Sequence, residues 1–358
     1  MAEFRDHILG MLQPADLIST GFNVSRPADP LEGLFDDIRT DNLVATYHTI
    51  ATEYQIPQIA QFHAFDVPAQ KSLPAPIDEH NVQKGLIKVK RDTTELMSEK
   101  MDHGVTAEPA LYNYVVDFAS QLADQVVNRT KVARAEVMAT GKMTIDENDI
   151  QLTVDYQVPA ENLALTLDFG SDAAQSIPDQ LDDIINMATE KGVTLNGMVT
   201  SRSIISKLRR NKDVQKLIKG VNLEGVLVSN GELRSWLAEE YDINTVIVDD
   251  AVYSLPYVMG DDGRPVVRSQ RCFPKNVVSF FGTSNGMKFA SSLWGIPPEE
   301  RVARFYESAG TSSENPYVFM TQWIEKDPAV LWTKASALYI PVLYNPNSLY
   351  VAKVVESA

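Results

Sequence analysis

The spacing of apolar residues changes several times along this chain, and each change marks a different kind of element. In the first forty residues Phe4, Ile8, Met11 and Leu12 fall on one helical face, and Pro14, Pro27 and Pro30 break up the remainder of that stretch. Too few apolar residues stand here to build a core, so residues 1–40 read as an arm that lies on something else. From Asp41 to Arg91 the period drops to two. Tyr47, Thr49 and Ala51 alternate with His48 and Ile50, and Leu86-Ile87-Lys88-Val89-Lys90 reads as the return strand. Pro57, Pro68, Pro74 and Pro76 stand between them. Proline is excluded from central strands, so a long projecting hairpin with a proline-rich tip is expected. Such a hairpin is marginal alone and implies a partner surface.

The strongest helical pattern runs from Glu108 to Thr140. Pro109 sits in the first turn, where its missing N–H costs nothing. Leu111, Tyr114, Val115, Phe118, Leu122, Val126, Arg129, Ala133 and Val137 then share a face, and Gly141 provides the stop. About thirty residues at roughly 1.5 Å each make a rod of roughly 45 Å. No strict heptad repeat is present, so the rod reads as the spine of a flattened domain rather than a coiled coil.

Two strand-like runs come next, Gln151 to Gln157 and Leu163 to Phe169, around a turn at Pro159-Ala160-Glu161. After Gly170 the pattern becomes mixed α/β. Ser176 with Asp179 and Ser229 with Glu232 have capping-box spacing, and Gly192 ends the first of these helices. A strand near Gly197 to Thr200 leads to a helix from about Ser201, and Asn244 to Val248 reads as a further strand. Gly260-Asp261-Asp262-Gly263 is a tight-turn signal. Residues 170–315 therefore read as a compact α/β unit inserted into the chain. Ala335 to Tyr344 is apolar on both faces, as in a buried central strand. Asn345-Pro346-Asn347-Ser348 is a turn before a last strand from Leu349 to Val355.

Composition narrows the functional classes. The 358 residues are 44% hydrophobic and 22% charged, which is ordinary globular usage. A net charge of −16 opposes general nucleic-acid binding. The single Cys272 allows no intramolecular disulfide or cysteine zinc cluster, and a reducing cytoplasm is the default site of synthesis. Glu3 and Asp6 argue against a secretory signal, and no stretch reaches the ~18 apolar residues of a membrane span.

Candidate chemistry is sparse. Gly282-Thr283-Ser284-Asn285-Gly286 matches the Gly-x-Ser-x-Gly elbow of serine hydrolases, with Ser284 as nucleophile. That elbow needs a helix directly after the serine and a histidine later in the chain. Here Gly295 and Pro297-Pro298 follow closely and the last histidine is His103, so a glycine-rich turn between strands is favoured. His7, His48, His63, His80 and His103 show no metal-binding spacing. Asp146-Glu147-Asn148-Asp149 lacks the glycine a calcium loop requires and reads as a turn. No dinucleotide or phosphate-cradling glycine motif is present. No catalytic residue, cofactor site or metal site is assigned. One charge cluster remains: Arg202, Lys207, Arg209, Arg210, Lys212, Lys216 and Lys219, against Asp213 alone. It is a solvated helical face, a contact with an acidic patch of a neighbouring subunit, or a nucleic-acid contact.

In order and spacing the chain resembles the phage lambda major capsid protein family, major capsid protein E, whose members have the HK97-like fold. The likeness is carried by Leu31-Glu32-Gly33-Leu34-Phe35, by Arg134-Ala135-Glu136-Val137-Met138-Ala139-Thr140-Gly141-Lys142, by Asp168-Phe169-Gly170 and Ile177-Pro178-Asp179, and by Trp323 and Asp327-Pro328. The resemblance implies an α+β protein with an N-terminal arm (1–40), an extended β-hairpin loop (41–95), a peripheral domain with a long spine helix (96–169 and 316–358) and an axial α/β domain (170–315). It implies a non-enzymatic major capsid protein that self-assembles into hexamers and pentamers. These form the icosahedral head around double-stranded DNA, which is enclosed without sequence-specific binding. Implied partners are further copies of itself, a portal, a decoration protein and a separate scaffolding protein, since no low-complexity scaffold precedes the arm. The expected location is the virion capsid, after assembly in the host cytoplasm, with no membrane contact. An encapsulin-like compartment shell is the alternative within the same fold, and a Ser284 hydrolase the alternative outside it. Lys71 and Lys84 lie in the hairpin, but no asparagine partner or catalytic glutamate is identified, and no crosslink is expected.

Overall fold

The computed structural model describes residues 29–50, 77–93, 107–147, 150–170, 173–220, 226–255, 258–259, 265–266, 268–283, 288–305, 317–327 and 329–356. In chain order these begin with strands β1 (Phe35–Arg39), β2 (Val44–Ile50), β3 (Ile77–Gln83) and β4 (Gly85–Thr93), then helix α1 (Ala107–Thr140). Strands β5 (Lys142–Glu147) and β6 (Ile150–Asp155), the short helix α2 (Ala160–Leu163) and strand β7 (Leu165–Asp168) lead to helix α3 (Ile177–Glu190). Next come β8 (Thr194–Thr200), helices α4 (Arg202–Arg210), α5 (Lys212–Lys219) and α6 (Asn230–Tyr241), and β9 (Thr245–Val248). The short strands β10 (Val252–Ser254), β11 (Val258–Met259), β12 (Pro265–Val266) and β13 (Ser269–Arg271) precede β14 (Val277–Thr283), β15 (Ala290–Gly295) and helix α7 (Pro298–Phe305). Strands β16 (Phe319–Lys326), β17 (Ala329–Leu343) and β18 (Leu349–Val355) complete the order.

Helix α1 starts one residue before the expected position and stops at Gly141, as its apolar spacing and the glycine require. Gly141 takes φ +69°, and a Cβ there would stand 2.8 Å from Val158. The helix is 34 residues, about 50 Å long at roughly 1.5 Å per residue. Its C-terminal half buries Leu122, Val126, Ala133 and Val137 on the expected face.

The first sheet is built around β17. One side of β17 pairs antiparallel with β4 through Leu331 to Tyr339. The other side is shared end to end, by β16 through Ala329 to Ser336 and by β15 through Leu338 to Leu343. This explains why Ala335 to Leu343 is buried on both faces. Pro341 falls beyond the stretch paired with β4, where its missing N–H need not cost a ladder bond. Strand β1, which lies within the expected arm, joins this sheet in parallel with β15.

The second sheet has the order β7-β18-β14-β8-β9, parallel at its two outer pairs and antiparallel about β14. Helices α3 to α6 cover one face. Leu181, Ile184, Leu208, Val214, Leu233 and Trp236 pack there against Met198, Val278, Phe280 and Tyr350. The helix starts obey the capping signals. Ser229 and Glu232 form a complete capping box, Ser176 accepts from the Asp179 amide, and Ser201 caps α4. Val277, Phe281, Leu349 and Val351 point the other way, into the core they share with α1 and the first sheet. Between the layers the buried Ser279 hydroxyl donates to the Met138 carbonyl at 2.7 Å. Helices, second sheet, spine and first sheet thus stack as successive layers.

Two pairing expectations are corrected, and the sheets run across one expected division. The return strand of the hairpin is β3, registered from Val44↔Gln83 to Ile50↔Ile77, whereas Leu86 to Lys90 lies in β4 against β17. The partner of β6 is β5, and the Leu163 to Phe169 run instead supplies β7 to the second sheet. The division into residues 96–169 with 316–358 and residues 170–315 crosses both sheets. Strands β7 and β18 of the former pair among β8, β9 and β14 of the latter, while β15 pairs with β17. Alternation reveals a strand and its inner face, but the partner is chosen by contacts hundreds of residues away.

Candidate functional site

Among the described residues no group of three or more histidine, cysteine or acidic side chains is placed to hold a metal. None of their helices is long and apolar enough to cross a membrane. Ser284 lies outside the described residues. The strand β14 leads toward it, but the next described element is the strand β15, not the helix that a nucleophile elbow needs. Gly282 has a structural reason of its own: a Cβ there would stand 2.2 Å from the Thr194 carbonyl oxygen, at a register shift between β14 and β8. His48 is exposed on the hairpin. His80 stacks on Tyr47 at 5.1 Å and meets the Thr49 hydroxyl at 2.8 Å. The remaining histidines, Lys71 and the arm to residue 28 lie outside the described residues.

What the chain does build is a set of fixings between a layered body and projecting segments. The first fixes the hairpin root. Lys84, between β3 and β4, is 2% exposed and donates to the carbonyls of Thr40 at 3.1 Å and Asn42 at 2.6 Å, and to the Thr40 hydroxyl. Burial lowers its pKa, partly offset by Asp41. Gly295 leaves room for this side chain, since a Cβ there would stand 3.1 Å from Lys84 Cδ. Above the root, Ala45 and Tyr47 turn inward against Tyr156, whereas Leu43, Val44 and Ile77 remain exposed. Burial pushes the Tyr47 hydroxyl up to about 12, with Asp155 adding to it.

The second fixing holds residues 29–39. Arg134 of α1 is buried in the core, with Nη1 donating to Asp29 at 2.6 Å and Nη2 to Asp37 at 3.2 Å. Its Nε donates to the Ser292 and Tyr339 hydroxyls, both at 3.0 Å, and Trp294 Nε1 donates to Asp37 at 2.8 Å. One guanidinium therefore ties the N-terminal segment to the spine, to β15 and to β17. Nearby, burial together with Asp249 and Asp29 pushes the Cys272 thiol up to about 11, so it is a poor nucleophile at neutral pH.

The third fixing holds α7 on the outer face of the first sheet. Burial would raise the Glu299 carboxyl, but Lys334 at 2.5 Å and Lys88 at 2.9 Å outweigh it and bring it from 4.5 to about 2. Arg39 meets Glu300 at 2.6 Å and adds a link to β1. Further out on that face Trp323, 41% exposed, stacks on Trp332, and the Lys90 ammonium lies 3.9 Å from the centre of the Trp332 ring.

Sequence reasoning missed the roles of Arg134, Lys84 and Glu299. Arg134 could have been noticed as the one cation among the small and apolar residues from Ala133 to Ala139, where Glu136 is the other charge. Lys84 and Glu299 carry no local signal, because their partners come from distant segments.

The model of the family described as phage major capsid protein E matches residues 44–354. No curated protein matches the sequence. Among solved structures, a protein described as a prophage capsid protein of E. coli CFT073 superposes with a TM-score of 0.59 at 10% identity, covering 96% of this chain and 99% of that one. A phage-related protein from Bordetella bronchiseptica RB50 superposes with a TM-score of 0.51 at 10% identity, covering 95% of this chain and 96% of that one. At such identities these likenesses establish the fold, which is HK97-like.

Proposed function

The chain belongs to the phage major capsid protein E family, and from that premise we propose how its parts build a shell. It is a shell-forming capsid protein whose place is the virion capsid. Its subunits assemble as hexamers and pentamers into an icosahedral head that encloses double-stranded DNA without reading its sequence. No catalytic step of its own is involved. One sequence must close rings of two sizes through heterologous contacts, which calls for a rigid body and adjustable projections. Residues 1–40 act as the arm, anchored through residues 29–39, and 41–95 as the extended loop, anchored through β4; they work against a peripheral part centred on α1 and an axial part centred on α3 to α6. A separate scaffolding protein, a portal and a decoration protein are the further partners, and assembly takes place in the host cytoplasm.

The observation that carries this reading is the hairpin root. A two-stranded ribbon leaves a layered core at one buried lysine and presents Leu43, Val44 and Ile77 to solvent. A lone ribbon of this kind gains its stability from a partner. Electron microscopy of the purified chain, alone and with its scaffold, tests the reading. Closed shells or hexamer and pentamer rings are expected, and monomers alone in both preparations would overturn it. Deleting residues 57–76 leaves β3 and Lys84 in place. It should give a folded subunit that forms no closed shells, and wild-type shells from that deletion would refute the role of the hairpin.

A further inference from the structure

The seven cations between Arg202 and Lys219 separate into two groups in the folded chain. Three are engaged internally: Lys207 with Glu356 at 2.6 Å, Lys219 with Glu232, and Arg209 through its Nε to the Val228 carbonyl at 2.5 Å. The others face outward. Arg202, 88% exposed at its side chain, reaches Asp250 at 3.8 Å, and Lys216 reaches Asp213 at 3.9 Å. Arg210 and Lys212 are exposed and make no ion pair or hydrogen bond among the described residues. Leu217, on α5, is 60% exposed among these cations. Val226 and Leu227 are also exposed, next to the Val228 carbonyl that holds Arg209. A face that is cationic at its edge and apolar within suits a protein surface better than a polyanion. A nucleic-acid site would want more free cations and interleaved aromatic rings.

The same unit carries a surface of matching chemistry on another helix. Asp179, Asp182, Asp183 and Glu190 lie along the outward side of α3, all exposed, and no ion pair to a cation holds them among the described residues. Glu240, at the end of α6, shares the surroundings of Tyr241 with Asp179 and Asp182, so the negative field extends across the gap between the two helices. We infer that the α4–α5 face of one copy docks on the acidic α3 face of a second copy. The two faces differ, so the contact is heterologous and propagates head to tail, as a ring requires. Complementary fields also set its direction, because a reversed subunit would place like charges together. This inference rests on the shell reading and assigns a surface within it.

Charge reversal on full-length protein tests it. One variant carries Asp182→Lys, Asp183→Lys and Glu190→Lys; the other carries Arg202→Glu, Arg210→Glu and Lys212→Glu. All six residues are exposed, and circular dichroism and melting verify that both variants fold. Under conditions where wild type assembles, each variant alone should lose shell and ring formation at least tenfold. The sixfold-substituted chain, with both faces reversed, should assemble again. A one-to-one mixture of the two variants makes only attractive contacts when they alternate, which an even ring permits and an odd ring does not. The mixture should therefore recover hexamers without pentamers. Raising salt from about 0.1 M to about 1 M shortens the Debye length from about 10 Å to about 3 Å, and should slow wild-type assembly. Either variant assembling like wild type, or no recovery in both the mixture and the sixfold chain, would overturn the pairing while leaving the shell reading intact. Failure of wild type to assemble under every condition would instead remove the shell reading and this contact with it.

Discussion

Arg134→Met keeps an unbranched stem about as far as Nε while removing the charge that binds residues 29–39 to the body. In the folded chain the Arg134 side chain is 5% exposed, and its partners Asp29 and Asp37 are 6% and 16% exposed. Without the guanidinium these carboxylates remain in a site built for their neutralisation. Losing one member of a buried pair costs about 3–5 kcal/mol. The lower end applies here, because Asp29 keeps the Leu31 amide at 2.9 Å and Asp37 keeps Trp294 Nε1 at 2.8 Å. An expected loss of about 3 kcal/mol corresponds to a melting temperature lower by roughly 4 °C for a chain of this size. Urea unfolding of the unassembled subunit measures it, with hydrogen exchange at residues 35–39 reporting whether β1 detaches from β15. Adding Asp29→Asn and Asp37→Asn to the Met variant removes the stranded charges and should recover more than half of the loss. A Met variant within about 0.5 kcal/mol of wild type, or a triple variant weaker than the single one, would refute the reasoning.

Glu299 predicts a pH dependence. Its carboxyl titrates near 2 when folded and near 4.5 when free, so its pairing with Lys334 and Lys88 stabilises the chain above about pH 4.5 and is lost as the pH falls toward 2. Urea midpoints measured from pH 5 to 2 should fall less steeply in Glu299→Gln than in wild type, and equal slopes would contradict the assignment. Gly282→Ala should destabilise by about 1–3 kcal/mol, because its methyl group meets the Thr194 carbonyl across the β8–β14 pairing. An unchanged melting temperature would return Gly282 to the motif reading that its structural role replaces.

Elements governed by local physics were legible in the sequence. The spine helix needed only its apolar spacing and Gly141, helices α3, α4 and α6 only their capping serines, and the last strand only its apolar run after a proline turn; the break at Asn211 that separates α5 from α4 was not read. What was not legible depends on pairing at a distance. Strand β4 alternates as clearly as β3, so nothing local distinguishes the hairpin's return strand from a member of the central sheet. The fixings behave in the same way. Lys84 looks like an ordinary surface cation until Thr40 and Asn42 are brought to it, and the partners of Arg134 come only with Asp29 and Asp37. The basic run could be located but not apportioned, since Glu356 and Glu232 neutralise two of its members from other elements.

The place of β17 and β18 in the chain has a consequence for timing. The first sheet is organised around residues 329–343 and the second runs through residues 349–355. While the chain is being synthesised, β4 and β15 therefore have no central strand to join, and β7 and β14 lack the strand that lies between them. Such non-local pairing delays folding until the closing segment is available. A nascent or prematurely terminated chain has neither sheet complete and cannot display the finished faces on which neighbours would dock. The order of the strands thus acts as a checkpoint on translation: only a subunit synthesised through its last strand can enter a growing shell.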